Sequence, residues 1–487
     1  MRRPRVLFVC HGHPDLVPGG TEILARDLCH AVRNAGYADT LFLGCVTRLH
    51  RASRPESRLQ TINAAATEML LWVGGYDPFA MAQSDLDGLV QALREVLGAA
   101  KPDIVHFHHL SLIGLEAVSV VRRLLPHTRI VVTLHDYTSL CFNDGLLIKR
   151  TTRSLCRGPT LDGCHGCFPH IPQSRFLIRF LHIKTMLGLV DRFIAPSRFL
   201  RDRFVEWGLP PDRIQLVPNA VPANGAPYGA VPANAVPQGT APDRHRRRDH
   251  PDPLKFGFFG NIAPHKGVLV ALAAVQQVDN AFISLGIHGG LHFQDDQFQT
   301  RFNEALAAAQ AAACWHGPYA RDDLARLMAA VAWVIVPSTW WENAPLIILE
   351  AFRHRRPVIC SDIGGMAEMV EDGVNGLLFR AGDATDLACT MRRAATERGL
   401  FQKLQRGLPD VPELNQSAAW HAEFYDEVLA KGGVNPPPGR LAEPSKQHQA
   451  ASLHDTATTR CCREKRAHGL KRKTRHSRGE RQPLAAD

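Results

Sequence analysis

Short apolar runs alternate with amphipathic stretches along this chain, and the alternation occurs twice. In the first half, apolar runs cover residues 6–10, 40–43, 104–107, 130–134, 193–195 and 214–217. Helical periodicity lies between them, for example over 22–34 and 86–97. Apolar strands that are joined by helices form a parallel sheet with right-handed crossovers. The pattern therefore predicts an α/β fold.

A Pro-, Ala- and Gly-rich stretch separates the two regions of alternation. The segment PANGAPYGAVPANAVPQGTAPDRHRRRDHPDP has neither helical nor strand periodicity, which is typical of an interdomain linker. Strands then recur at 255–259, 282–286 and 334–336, with helices at 268–275 and 324–330. A chain of 487 residues is expected to form two domains. We predict a first domain over 1–221, a linker over 222–253 and a second domain over 254–430.

The net charge of +10 is concentrated at one end of the chain. Residues 431–487 contain 13 Lys and Arg against 5 Asp and Glu, which leaves 44 basic and 42 acidic residues in the preceding part. A nearly neutral body argues against a nucleic-acid-binding protein. The end segment has too little apolar surface to offset its ordering entropy. We predict a disordered basic tail over 431–487.

The sequence contains no run of 18 or more apolar residues, so a membrane-spanning helix is not expected. The opening MRRPRVLFVCHGHPD has five apolar residues before His11, which is too short for the core of a signal peptide. We therefore predict a cytoplasmic protein. Peripheral contact with the inner face of a membrane is the alternative location.

Two carboxylates follow the apolar strand at 334–336, in the stretch PSTWWENAPLIILEAFRHRRPVICSDIGG. Glu342 comes after a Pro-Ser turn, and Glu350 lies in an apolar helical run. Open α/β sheets bind ligands at the carboxyl ends of their strands, and a buried carboxylate needs a polar partner. Two such acceptors suit a ligand rich in hydroxyls, such as a sugar and a ribose. The alternative is a helix cap plus a surface charge.

Each half also carries a glycine-containing loop directly after its first strand. Gly19 and Gly20 open a helix in the first half, and Gly260 ends a strand shortly before Lys266 in the second. Glycine lets the backbone approach a ligand closely, and a helix N-terminus offers free N–H groups to phosphate. A lysine neutralises phosphate as a point charge. These loops predict a diphosphate site, although a plain turn and cap explains the first loop equally well.

Taken in order, these motifs resemble the retaining nucleotide-sugar glycosyltransferases of family 4, over about residues 5–430. The resemblance implies the GT-B architecture, in which two facing Rossmann-like domains hold the active site in the cleft between them. It implies transfer of a sugar from a nucleotide diphosphate sugar to a lipid-linked, saccharide or other acceptor, with retention of anomeric configuration. No cofactor is required for catalysis in this family, and the donor phosphate itself can accept the acceptor's proton.

The resemblance also implies roles for individual residues. The Thr-x-His-Asp motif in RIVVTLHDY places a histidine near the transferred sugar, so the predicted catalytic residues are His135, Asp136 and Glu342. Glu342 would hold sugar hydroxyls and Glu350 the ribose. Asn261 stands where most members have an arginine, which predicts weaker donor binding or compensation from elsewhere. The predicted donor-binding residues are Gly19, Gly20, Gly260, Asn261, Lys266, Glu342, Asn343, Ala344, Pro345, Leu346 and Glu350.

Four cysteines, Cys141, Cys156, Cys164 and Cys167, lie close together after the strand at 130–134. In a cytosolic protein, such a cluster indicates a metal more than disulfides. The segment has few apolar residues to hold it in place, and one pair has Cys-x2-Cys spacing. We predict a structural zinc site on an insertion over 141–167, with free thiols as the alternative.

The segment 175–190, RFLIRFLHIKTMLGLV, is both apolar and basic. Packing on the sheet is its expected role. The alternative is that it lies on a membrane surface next to a lipid-linked acceptor.

Three other functions fit parts of the pattern. A nucleotide-sugar 2-epimerase shares the architecture but is expected to lack this combination of Glu-x7-Glu and Lys-Gly. An inactive paralogue that acts as a scaffold is compatible with Asn261. A nucleic-acid-binding protein built on the cysteines and the basic tail would show salt-dependent binding, but the neutral body argues against it.

Overall fold

The computed structural model describes residues 2–17, 19–47, 58–222, 251–278, 283–291 and 294–431. Most of the predicted linker, residues 223–250, lies outside the described residues, and so does the predicted tail from residue 432 onward. The described part of the chain falls within one compact unit.

The first half contributes ten strands to the described part of the chain: β1 Arg5–Cys10, β2 Asp39–Val46, β3 Leu59–Thr61, β4 Glu68–Trp72, β5 Tyr76–Asp77, β6 Ala82–Gln83, β7 Ile104–Phe107, β8 Arg129–Thr133, β9 Arg192–Ala195 and β10 Ile214–Leu216. Eight of them form a sheet in the order β10-β9-β8-β7-β1-β2-β4-β3, which is parallel except for the β3–β4 pair. The two short strands β5 and β6 form a separate antiparallel ribbon. All six strands that the sequence predicts for this half are present.

Helices connect these strands on both faces of the sheet: α1 Gly20–Asn34, α2 Leu86–Ala100, α3 Glu116–Leu124, α4 Leu161–Cys167, α5 Gln173–Gly188 and α6 Arg198–Trp207. A short 3-10 helix, Pro211–Arg213, precedes β10. Helix α6 illustrates why they begin and end where they do. The Ser197 side chain accepts a hydrogen bond from Leu200 N at its start, and Gly208 ends it with a φ of 113°.

The second half forms a six-stranded sheet that is parallel throughout, from β11 Lys255–Phe259, β12 Ser284–His288, β13 Ala313–Trp315, β14 Trp333–Val336, β15 Val358–Ser361 and β16 Gly376–Phe379. Its order is β13-β12-β11-β14-β15-β16. The helices that follow its strands are α7 Val268–Gln276, α8 Asp296–Ala309, α9 Leu324–Ala329, α10 Leu346–Arg353, α11 Gly364–Met369, α12 Ala384–Thr396, α13 Leu400–Arg406 and α14 Leu414–Ala430. Three 3-10 helices lie between them: Pro264–Lys266, Gln310–Ala312 and Arg321–Asp323. No helix among the residues described combines the length and apolar character needed to cross a membrane.

Both sheets are buried on both faces, as continuous apolar strands require. Along β1, Leu7 and Val9 belong to one core cluster, while Val6 and Phe8 belong to another on the opposite face. The second sheet is covered in the same way by two further clusters. The predicted α/β fold with two Rossmann-like domains is confirmed.

The strand order in each sheet reverses next to its first strand. Strand β1 lies between β2 and β7, and β11 lies between β12 and β14. At such a reversal, the connections leave the carboxyl ends of the strands toward opposite faces and open a crevice for a ligand. The two glycine-containing loops follow β1 and β11, so both predicted diphosphate loops lie at these crevices.

Strand β4 was not predicted from the sequence. Its apolar run, MLLW, is short enough to suit a helix or a strand equally, so periodicity could not identify it. The predicted strand at 282–286 is observed two residues later as β12, and Phe282 lies outside the described residues.

Helix α14 packs against the first domain, although it follows the second domain in the sequence. Its residues Phe424 and Tyr425 share a buried cluster with Val6 and Phe8. Tyr425 Oη lies 2.7 Å from Nδ1 of the buried His106 on β7. The predicted second domain, 254–430, included this segment, because helical periodicity does not reveal which sheet a helix covers.

We predict that Tyr425→Phe lowers the free energy of unfolding by about 1–3 kcal/mol, since it leaves a buried imidazole nitrogen without its partner. Guanidinium titration measures the change. The matched control is Tyr37→Phe, because Tyr37 is 42% exposed. An equal loss in both variants would contradict the role of the Tyr425–His106 hydrogen bond.

Candidate functional site

A cleft of about 480 Å³ is lined by residues from both halves of the chain. It contains every residue, apart from the cysteines, that the sequence analysis assigned to catalysis or donor binding: Gly19, Gly20, His135, Asp136, Gly260, Asn261, Lys266, Glu342, Asn343, Ala344, Pro345, Leu346 and Glu350. The structure therefore brings residues from distant parts of the sequence into one site. Their individual roles stay predictions.

Gly267 sets how closely two loops of the second domain approach each other. Its φ is +73°, and a side chain at this position would overlap the carbonyl oxygen of Pro337. Thr339 N donates a 2.8 Å hydrogen bond to His265 O between the same two loops. This close approach places Lys266, which precedes the glycine, next to Glu342, which follows the Pro-Ser turn.

Lys266 and Glu342 form an ion pair in the cleft. Lys266 Nζ lies 2.7 Å from Glu342 Oε1, and Ser338 Oγ donates to the same oxygen at 2.8 Å. Burial alone would raise the pKa of the Glu342 carboxyl, but Lys266 and the hydrogen bonds lower it overall. Glu342 is therefore an ionised carboxylate inside the protein, and its charge is compensated by a lysine that faces the same cleft.

Glu350 lies on α10, one of the helices that begin at the cleft, and it is 9% exposed. Arg321 Nη2 lies 4.0 Å from Glu350 Oε1, and Arg321 Nη1 lies 3.4 Å from Asp27 Oδ2 on α1. Arg321 thus connects the second domain with the first, next to the glutamate that is predicted to bind the ribose. Arg321 could not be predicted from the sequence, because it belongs to a short 3-10 helix with no motif of its own.

The loop that carries Glu342 is held by backbone and amide contacts from several sides. Gly365 N donates to Glu342 O at 2.7 Å, and a side chain at Gly365 would overlap the backbone of Asn343. The Asn343 side-chain amide donates to His135 O on the first domain. Asn219 Nδ2 donates to Ala344 O at 3.0 Å. The loop is thus fixed by both halves of the chain.

His135 lies at the end of β8 and is neutral in this setting. Burial, together with the charge of His109, lowers the pKa of His135 to about 3. Its Nε2 lies 3.1 Å from His108 Nδ1. A neutral imidazole can donate or accept a hydrogen bond but cannot act as a cation at neutral pH.

Two carboxylate–imidazole pairs lie beside His135. His109 Nε2 is 2.9 Å from Asp136 Oδ2, and His11 Nε2 is 2.9 Å from Glu22 Oε1. The two imidazole rings lie 4.3 Å apart. Burial opposes the charged form of His11, but its contacts with Cys10 and Glu22 raise its pKa to about 9. The carboxylates of Asp136 and Glu22 therefore each have a histidine as cationic partner.

Asp136 is held as an anion. Burial would raise the pKa of its carboxyl, but His109 and the hydrogen bonds from Thr138 bring it well below its usual range. Thr138 N and Oγ1 donate at 2.9 and 2.8 Å. These contacts occupy Asp136 with neighbours in the first domain.

The four predicted zinc ligands lie near one another as free thiols. The Cys164 thiol lies within electrostatic range of Cys141, Cys156 and Cys167. The buried Arg179 guanidinium is close enough to influence Cys141 and Cys164. The donor set suits zinc, yet among the described residues no three His, Cys, Asp or Glu side chains are arranged to hold a metal ion. Zinc binding stays a prediction and requires the thiols to move together.

This prediction is tested by elemental analysis of protein purified without chelators. We expect roughly one zinc per chain, as a four-cysteine site holds a single ion, and less in Cys164→Ser and Cys167→Ser. Cys314→Ser is the matched control, since Cys314 is exposed in the second domain. Protein that carries no metal, and whose four thiols all react freely in the native state, would contradict the site.

Two family models match this chain in succession. "Glycosyltransferase Family 4" matches residues 18–224, and "Glycosyl transferases group 1" matches residues 253–397. An uncharacterized glycosyltransferase of Methanocaldococcus jannaschii is 31% identical over 27% of this chain and 36% of its own length. A D-inositol 3-phosphate glycosyltransferase of Streptomyces bingchenggensis is 26% identical over 52% of this chain and 56% of its own length. The chain thus spans about a third to a half of the length of these two relatives.

Matches to other proteins extend over most of the chain. The glycogen synthase of Mycobacterium tuberculosis is 24% identical over 90% of this chain and 97% of its own length. The sucrose-phosphate synthase of Thermosynechococcus elongatus has the same fold, with a TM-score of 0.62, 17% identity, and coverage of 88% of this chain and all of that one. Anabaena HepE, crystallised with UDP and glucose, gives a TM-score of 0.57, 16% identity, and coverage of 87% of this chain and all of that one. The solved structures show the GT-B fold. The two consecutive family models, which together match most of the chain, show that it belongs to the family 4-like glycosyltransferases.

Proposed function

We propose that this glycosyltransferase moves a sugar from a nucleoside diphosphate sugar to an acceptor hydroxyl, with retention at the anomeric carbon. The observation that carries the proposal is the Lys266–Glu342 ion pair in the cleft. It offers a cation for a phosphate and an anion for sugar hydroxyls at one place. The UDP and glucose bound by the HepE structure support this class of donor.

The diphosphate is proposed to lie between the glycine loop of the first domain and Lys266. Helix α1 has fifteen residues, and its N-cap, Gly19, makes no side-chain capping hydrogen bond. The Glu22 carboxylate accepts a hydrogen bond from its own backbone N–H, so the proposed phosphate contacts are with the N–H groups before it, where the helix dipole favours an anion. Asn261 is exposed in the same cleft and can donate its amide to a phosphate oxygen.

The sugar and the ribose are proposed to be held by the two carboxylates. Charged acceptors form strong hydrogen bonds with hydroxyl groups. Lys266 and Ser338 both contact Oε1 of Glu342, and we assign a sugar hydroxyl to its Oε2. Arg321 orients the Glu350 carboxylate, which we assign to the ribose hydroxyls.

In the proposed reaction, the bond between the anomeric carbon and the diphosphate oxygen breaks, and a bond to the acceptor oxygen forms on the same face. The acceptor's proton passes to an oxygen of the leaving diphosphate. Lys266 and the backbone N–H groups stabilise the charge that develops on that diphosphate. Neutral His135 hydrogen-bonds a sugar hydroxyl and helps to position the donor.

A thermal-shift screen with UDP-, GDP- and ADP-sugars tests the donor class, because a ligand that binds the native state raises stability by mass action. We expect one donor to raise the unfolding temperature and to be hydrolysed slowly without acceptor.

Lys266→Met and Glu342→Gln should each lower kcat/KM by roughly tenfold or more, from the loss of charge-assisted hydrogen bonds.

The matched controls for these variants are Lys255→Met and Glu423→Gln, which replace exposed residues outside the cleft. The controls should retain full activity. If no nucleotide sugar stabilises or is turned over by the wild-type protein, the chain is an inactive relative and the proposal is wrong.

Asn261→Arg tests whether this position faces the diphosphate. The added guanidinium can engage phosphate oxygens, so we expect nucleoside diphosphate binding that is equal to or tighter than that of the wild type. Isothermal titration measures the affinity, and Asn261→Gln controls for added length without charge. Weaker binding in the arginine variant, with the fold intact, would place the diphosphate elsewhere.

A further inference from the structure

Helix α5 buries one face and exposes an apolar stripe on the other. Phe176, Ile183 and Leu187 are buried on the inner face. On the outer face, Leu177 is 45% exposed, Ile178 61% and Leu181 37%. These three positions fall within about 100° of one another around a helix of 3.6 residues per turn, so they form one continuous stripe.

This stripe differs from the other exposed apolar residues of the described chain. Tyr37, Leu86 and Val374 are also large and exposed, but they lie on separate elements. Single exposed apolar side chains are ordinary, whereas a contiguous group indicates an interaction surface. The expectation that this segment packs on the sheet therefore holds for its inner face only.

Exposed cations lie on α5 and in the segment that precedes it. Arg175 and Lys184 belong to α5 itself, and Lys149, Arg150, Arg153 and Arg157 belong to the preceding segment, whereas the acidic residues of 141–188 are Asp144 and Asp162. Arg150 lies over the Phe168 ring at 4.6 Å, near the start of α5, and Lys184 lies over the Trp207 ring at 5.0 Å, near its end. Asp162 accepts a hydrogen bond from Gln173 at 2.8 Å. The surface is thus apolar in the middle and positive at both ends.

We propose that this surface binds the headgroup region of an anionic lipid bilayer. An apolar helix face flanked by Lys and Arg inserts its aliphatic side chains at the boundary between headgroups and acyl chains, while the cations pair with anionic headgroups. The charge complementarity selects an anionic bilayer. An apolar protein partner offers no reason for exposed cations at both ends of the stripe.

The segment that carries four of these cations reaches the catalytic cleft. Trp341, the residue before Glu342, donates from Nε1 to Cys156 O at 2.9 Å. Arg153 is close enough for its charge to influence His265 beside Lys266. On the proposed function, the bound bilayer would therefore lie next to the cleft, and the acceptor would be a lipid-anchored molecule. The lipid-binding test itself does not depend on activity.

Co-sedimentation of the full chain with vesicles tests the proposal. We expect binding to vesicles of phosphatidylglycerol and phosphatidylcholine to be at least tenfold tighter than to phosphatidylcholine alone, and to weaken with salt. The triple variant Leu177→Ser, Ile178→Ser, Leu181→Ser should bind the anionic vesicles roughly tenfold more weakly, from the loss of inserted apolar surface. Lys149→Gln, Arg150→Gln, Lys184→Gln should lose a similar factor.

Matched controls carry the same changes at exposed sites elsewhere. They are Tyr37→Ser, Leu86→Ser, Val374→Ser for the apolar change, and Arg94→Gln, Arg301→Gln, Arg398→Gln for the charge. Both controls should bind like the wild type. Absence of vesicle binding by the wild type, or unchanged binding by both the apolar and the charge triple variant, would overturn the proposal. A loss of donor turnover in solution with intact vesicle binding would instead reject only the proposed reaction.

Discussion

The ion pair between Lys266 and Glu342 is the interaction on which the site depends. A lone buried carboxylate would be protonated, because the interior of a protein solvates charge poorly. The pair keeps Glu342 ionised, and it exists because Gly267 lets the two loops touch. The electrostatics of the cleft therefore follow from one backbone position that has no side chain.

Contacts across the cleft make the loop after Glu342 a shared element of both domains. Asn343 reaches His135, and Arg321 reaches Asp27. A donor that binds this loop consequently contacts residues whose positions are set by two separate sheets. The proposed donor site and the contact between the two halves of the chain therefore share these interactions.

Much of the fold and of the cleft could be predicted, because both are encoded locally. Apolar runs mark the strands, and Gly19, Lys266 and Glu350 stand in short motifs at strand ends. What could not be predicted depends on distant contacts. Arg321 has no local signal, and the pairing of His135 with Asn343 joins positions 208 apart in sequence. The packing of α14 against the first domain likewise could not be predicted, because helical periodicity marks the buried face of a helix but not the sheet that it covers.

The return of α14 to the first sheet makes that domain discontinuous in the sequence. Its core lacks Phe424 and Tyr425 until the entire second domain has been synthesised. Nearly two hundred residues separate β10 from α14, which corresponds to roughly 10–40 s of translation at about 5–20 residues per second. During that interval the apolar residues of β1 that α14 covers are exposed, so α14 completes a core that began with the first strand.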